Sequence, residues 1–102
     1  MIKHIVLWTL KNELNGRSKK ELALEMKSHL EALKNEIQVI NKLEVGINHA
    51  DAPPSNYDIC LMIDFETIDD LQQYQIHPAH LAFKDYVITV RDEKAAIDFK
   101  YP

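Results

Sequence analysis

The chain has 102 residues and a mass of 11.8 kDa, with 46% hydrophobic and 27% charged residues, the size and composition of one folded domain with no room for a second core. A formal charge of −4, a pI near 5.7 and the lack of any Lys/Arg cluster have the wrong sign for a partner bound through its phosphates, so no nucleic-acid partner is expected. The single cysteine, Cys60, excludes an intrachain disulfide and a multi-cysteine zinc site. The N-terminal apolar run spans about eight residues, too short for a membrane span. A soluble cytoplasmic protein is expected.

Ile2 to Leu10 holds the consecutive apolar residues Ile5, Val6, Leu7 and Trp8, the pattern of a strand buried on both faces. Asn12 to Arg17 is a polar connection. Ser18-Lys19-Lys20-Glu21 then spells a capping box: the Ser hydroxyl accepts from the N3 amide and the Glu reaches back. The stripe Leu22, Met26, Leu30 and Leu33 predicts a helix from there to about Asn35. Ile40 to Asn48 alternates Leu43, Val45 and Ile47 with Lys42, Glu44 and Gly46, a second strand. The segment up to Asn56, with Pro53-Pro54, is a loop that either covers an opening or joins a hairpin. Tyr57 to Phe65 alternates most regularly of all and pairs with the strand before it.

Thr67 is placed to cap a short helix whose first turn carries Asp69 and Asp70, where the helix dipole favours them. His77-Pro78 ends it, and Pro78 opens a second helical segment expected to run to about Asp92. Ala95 to Tyr101 is the fourth strand. The order β-α-β-β-α-β is the ferredoxin-like α+β plan, a four-stranded antiparallel sheet with its helices on one face. With Val6, Trp8, Leu61 and Ile63 turned to the helices, the two central strands still present Ile5, Leu7, Cys60 and Met62 on the other face. Such a patch is rarely left in water. The economical cover is a second copy packed sheet to sheet, a homodimeric α/β barrel.

Three segments carry a resemblance: Ile2-Lys3-His4-Ile5-Val6-Leu7-Trp8, Glu44-Val45-Gly46-Ile47-Asn48 and Tyr74-Gln75-Ile76-His77-Pro78-Ala79-His80. Together they resemble the stress-responsive dimeric A/B barrel proteins over essentially the whole chain. The resemblance implies a homodimer whose two sheets form a barrel with helices outside. One plant member of that family cyclises a linear polyketide by aldol condensation without metal or organic cofactor. Its catalytic histidine matches His80, its helping tyrosine Tyr74 and its first-strand histidine His4. Trp8 stands where that enzyme has a smaller aliphatic residue, and Ala23 or Met26 where its first helix carries pocket aromatics, which implies a narrower pocket or a different ligand.

His80 falls at about N3 of the last helix, where the positive end of the dipole disfavours imidazolium. A neutral imidazole there is a usable general base for a proton alpha to a carbonyl, with Tyr74 donating to the developing enolate oxygen. The alternative is a helix-start residue hydrogen-bonded to a neighbouring strand. His77 is expected mainly to lock the helix break, and His4 is either a satisfied core group or part of the site. His77 and His80 have zinc-like spacing, but a third ligand would have to come from His4, Asp64 or Glu66; neither metal nor cofactor is expected. Cys60 has no neighbouring cation and is expected to pack. The expected contacts of a small hydrophobic or aromatic ligand are Val6, Trp8, Leu61, His77, Phe83 and Val87, with Phe65 and Phe99 as further candidate aromatics. Three functions remain open: a small-molecule binder, a cofactor-free lyase or cyclase, and a structural stress protein without ligand.

Overall fold

The structure, a computed structural model, describes residues 1–102. Its spine is strand β1 (Ile2–Leu10), flanked on one side by β5 (Ile59–Phe65) and on the other by β6 (Arg91–Lys100). With β4 (Lys42–Ile47) beyond β5, the sheet order is β4-β5-β1-β6 with every neighbouring pair antiparallel. Helices α1 (Lys19–Glu36), α2 (Ile68–Ile76) and α3 (Pro78–Val90) complete the ferredoxin-like α+β fold. No helix is long and apolar enough to cross a membrane.

The pleat of β1 sorts its residues in two. His4, Val6, Trp8 and Leu10 are buried, whereas Ile5 and Leu7 remain half-exposed on the opposite face. Leu61 and Ile63 on β5 join the buried set, against Leu22, Met26, Leu30 and Leu33 from the α1 stripe. These alternations follow from the period-two and 3.6-residue geometries of strand and helix. The open face carries Ile5, Leu7, Cys60 and Met62, extended by Ile97 and Phe99, since Ile97 pairs with Ile5 and Phe99 with Lys3.

Helix boundaries follow local chemistry. The Ser18 hydroxyl accepts from the Glu21 amide at 3.2 Å and the Glu21 carboxylate accepts from the Ser18 amide at 3.2 Å, a complete capping box. Thr67 caps α2 by accepting from Asp70 N–H at 3.1 Å. His77 is the extended residue between α2 and α3, and its Nδ1 accepts from Ala79 N–H at 3.0 Å.

Two segments differ from their expected form. Residues expected to form a polar connection fold instead into a miniature hairpin, β2 (Glu13–Leu14) with β3 (Arg17–Ser18). Its turn holds Asn15 and Gly16 at φ of 52° and 81°, the left-handed region that an Asn-Gly pair supplies at little cost. Arg17 then pairs with Glu25 of α1, which also accepts from the Tyr86 hydroxyl of α3 at 3.2 Å. At the other end, α3 stops at Val90 and β6 begins at Arg91, four residues earlier than expected, because Arg91 pairs with Leu10 at the end of β1. The β1–β6 register shifts between Trp8↔Lys94 and Leu10↔Arg91, so Asp92 and Glu93 both face Thr9. The Thr9 hydroxyl accepts from Glu93 N–H at 2.8 Å and holds this bulge.

Candidate functional site

A cavity of about 280 Å³ lies between the helix-facing side of the sheet and α2–α3. Its apolar wall is Val6, Trp8, Leu61, Phe83 and Val87, and its polar wall includes His4, Tyr74 and His80. Strand β1 brings His4, Val6 and Trp8 by alternation, the last turns of α2 bring Tyr74, and the first turns of α3 bring His80 and Phe83. Trp8 and Phe83 meet edge to face with centroids 6.1 Å apart.

The polar groups form a row. The Tyr74 ring lies 5.8 Å from that of His4 and 4.4 Å from that of His80, centroid to centroid. His4 is buried, and its Nδ1–H donates to the carboxylate of Asp98, its cross-strand neighbour on β6. The Nδ1–H of His80 donates to the Gln75 carbonyl at 3.0 Å. That bond leaves Nε2 with the lone pair when the ring is neutral. Burial lowers the proton affinity of His80 below the usual histidine value, against the Gln75 bond and with help from the positive charges of Lys84 and Lys94. Tyr74 is fully buried, and desolvation holds its phenol well above the usual tyrosine range, so it stays protonated. Trp8 is 3% exposed, and its Nε1–H has no acceptor in the protein.

The site thus gathers His4, Tyr74, His80, Val6, Trp8, Leu61, Phe83 and Val87, and leaves out His77. The His77 imidazole is committed to capping α3, and it borders a separate depression beside Glu36 and Gln73. Two candidate aromatics also fall elsewhere. Phe65 is wholly buried against Tyr74, centroids 5.3 Å apart, and Phe99 stands on the open face beside Tyr101. Met26 and Ala23 are core residues of α1. Cys60 lies on the open face, and burial raises its thiol above the usual value. No three His, Cys, Asp or Glu side chains are grouped to hold a metal ion.

Gln75, Lys84 and Lys94 line the cavity without having been singled out in the sequence. Lys84 was recoverable, since it lies four residues after His80 and so on the same helical face. Lys94 and Asp98 were not, because their places depend on where β6 begins and which residue each one faces. The loop with Pro53-Pro54 does not cover this cavity. It folds on itself through Asn56 N–H to the Pro53 carbonyl at 3.1 Å and Asn56 Nδ2–H to Asn48 Oδ1 at 3.2 Å. With Lys19 and Lys20 it borders a different, more open depression.

A dimeric protein of unknown function and ferredoxin-like fold from Bacteroides fragilis NCTC 9343 is 32% identical, with a TM-score of 0.84 over 98% of this chain and 95% of that one. A dimeric ferredoxin-like protein of unknown function from Thermobifida fusca YX is 22% identical, with a TM-score of 0.82 over 98% of this chain and 90% of that one. The hydroxynitrile lyase of Passiflora edulis shares the fold at 15% identity, with a TM-score of 0.79 over 99% and 96% of the two chains. No functionally curated protein matches the sequence. The model of the stress responsive A/B barrel domain matches residues 2–101. With that match running from the start of β1 to the residue after β6, the chain belongs to the stress responsive A/B barrel domain family.

Proposed function

We propose that this chain is a homodimeric binder of a small hydrophobic or aromatic molecule, held in the cleft between sheet and helices at His4, Tyr74 and His80. The observation that carries this reading is the cavity of about 280 Å³, in which an apolar wall faces a row of three polar rings. Its size lies at the lower edge of the roughly 300–1,000 Å³ common for ligand pockets. The Trp8 ring in its wall, edge to face with Phe83, supports the same reading, because it offers an apolar surface against which an aromatic body can stack. The half-exposed apolar residues of the open face, and the dimeric state of the similar Bacteroides and Thermobifida proteins, support the homodimer.

NMR titration with small aromatic acids, phenols and short diketides is the test. Ligands are expected to shift the amide and imidazole signals of Tyr74 and His80 and to lose affinity in His80→Ala. Silence from every compound, with wild type and variant folded, would shift the assignment to a structural protein without ligand.

A second reading, a cofactor-free lyase or cyclase, is favoured by the state of His80. A neutral imidazole with its Nε2 lone pair available can take a proton alpha to a carbonyl, and the protonated Tyr74 hydroxyl can donate to the enolate oxygen that forms. His80, now protonated, returns the proton to the product or to a leaving group. Deuterium exchange at the alpha position of a bound diketide reads this step directly. His80→Ala should abolish the exchange, and Tyr74→Phe should slow it by roughly 10²–10³, the usual cost of one lost oxyanion donor. Exchange at the wild-type rate in His80→Ala would remove the enzymatic reading while leaving binding intact.

A further inference from the structure

The charge around the cavity has the opposite sign to that of the whole chain. The protein carries −4, yet the charged side chains lining this cavity are Lys84 and Lys94, and no carboxylate lines it. They arrive from separate elements: Lys84 from α3, one turn beyond His80, and Lys94 from β6, where it pairs with Trp8. Neither is paired with a carboxylate of the chain. Both ammonium groups lie near enough to His80 to disfavour its protonation.

The hydrogen-bonding groups have the same bias. The Tyr74 hydroxyl is protonated and free to donate. The one carboxylate close to the row, Asp98, is engaged by His4, and the Gln75 carbonyl is engaged by His80. Besides the Nε2 of His80, what remains unpaired is therefore the Tyr74 hydroxyl and two positive charges.

We propose that the cavity takes a compact carboxylate with an apolar or aromatic body, its anionic group held by Lys84 and Lys94 and its body packed against Trp8 and Phe83. This assignment rests on the cavity being a ligand site, as proposed above, and specifies the chemical class of that ligand. A neutral molecule of the same shape fills the apolar wall equally well but leaves both ammonium groups without a counter-charge. The carboxylate adds the attraction of opposite charges to the hydrogen bonds that a neutral carbonyl can also accept from the ammonium groups.

Matched pairs of probes separate the two claims: benzoate with benzamide, phenylacetate with phenylacetamide, and hexanoate with hexanamide. Each is titrated by NMR and calorimetry into the wild-type protein and into Lys84→Gln/Lys94→Gln, at low and high salt. At least one acid is expected to bind roughly tenfold or more tightly than its amide. That preference should shrink with added salt and vanish in the double variant, which loses more affinity for the acid than for the amide. Equal binding of acid and amide in every pair overturns the carboxylate assignment and leaves the ligand cavity standing. A preference for the acid that survives in the double variant overturns it as well. No binding by any of the six compounds to the folded protein overturns both.

Discussion

Tyr74 and His80 carry the sharpest expectations at the scale of single residues. The Tyr74 phenol is fully buried, and desolvation alone raises its pKa, with no hydrogen bond contributing. Its hydroxyl therefore does little for stability. Tyr74→Phe should change the unfolding free energy by less than about 0.5 kcal/mol, whereas Tyr74→Ala, which empties the space beside Phe65, should cost about 3–5 kcal/mol. A loss of more than about 1 kcal/mol in Tyr74→Phe, read from urea melts, would reveal a structural partner for the hydroxyl. The lowered proton affinity of His80 adds a pH dependence of fixed sign. The unfolded chain takes up a proton near 6.5, the folded one only at lower pH, so stability from this group is full above 6.5 and falls as pH drops through the window below. Urea midpoints between about pH 5 and pH 8 should fall less on acidification in His80→Gln than in wild type; equal or steeper acid sensitivity in the variant would contradict the burial of His80. The motif around residue 80 was legible in the sequence because its spacing and its Pro break are local. The partnership of His4 with Asp98 was not, since it is a register fact between strands 94 residues apart.

Element by element, the boundaries that sequence resolves well are those set by side chains reaching a few residues along the chain. The capping box at Ser18 and Glu21 is one, and Ser18→Ala should cost about 1 kcal/mol in a thermal or urea melt; an unchanged midpoint would mean that packing of the Leu22–Leu33 stripe alone sets the start of α1. The Asn15-Gly16 hairpin shows the converse. Its turn signal was plain, but its strands are two residues long each, too short to show an alternation. The end of α3 shows a third case. Arg91, Asp92, Glu93 and Lys94 extend a helical pattern as readily as they begin a strand, and only the free edge of β1 decides between them. His77 was expected both to cap α3 and to reach the ligand. One imidazole nitrogen already holds the Ala79 amide, and the ring stands over another depression.

At the scale of the whole molecule, the open face of the sheet asks for cover. Its central residues Ile5, Leu7 and Met62 are half-exposed, and Ile97 is 58% exposed, a patch that sheet-to-sheet pairing removes from water. Met62→Lys combined with Ile97→Lys should convert a dimer into a folded monomer in sedimentation experiments; a wild-type protein that sediments as a monomer at every concentration would remove the homodimer. This face was legible from sequence because alternation alone sorts it from the core, while the cavity on the other face needed the packing of three helices to appear. The bulge of Asp92 and Glu93 against Thr9 has a reach beyond the strand it interrupts. It is the slack between a sheet that counts residues in twos and a helix that counts them in 3.6. Were it one residue shorter, α3 would have to turn by about 100° or slide by about 1.5 Å to stay joined to β6. Either adjustment carries His80 and Lys84 away from His4 and Lys94. The bulge therefore acts as a phase-setting spacer, and a residue that touches nothing in the cavity decides which side chains face each other across it.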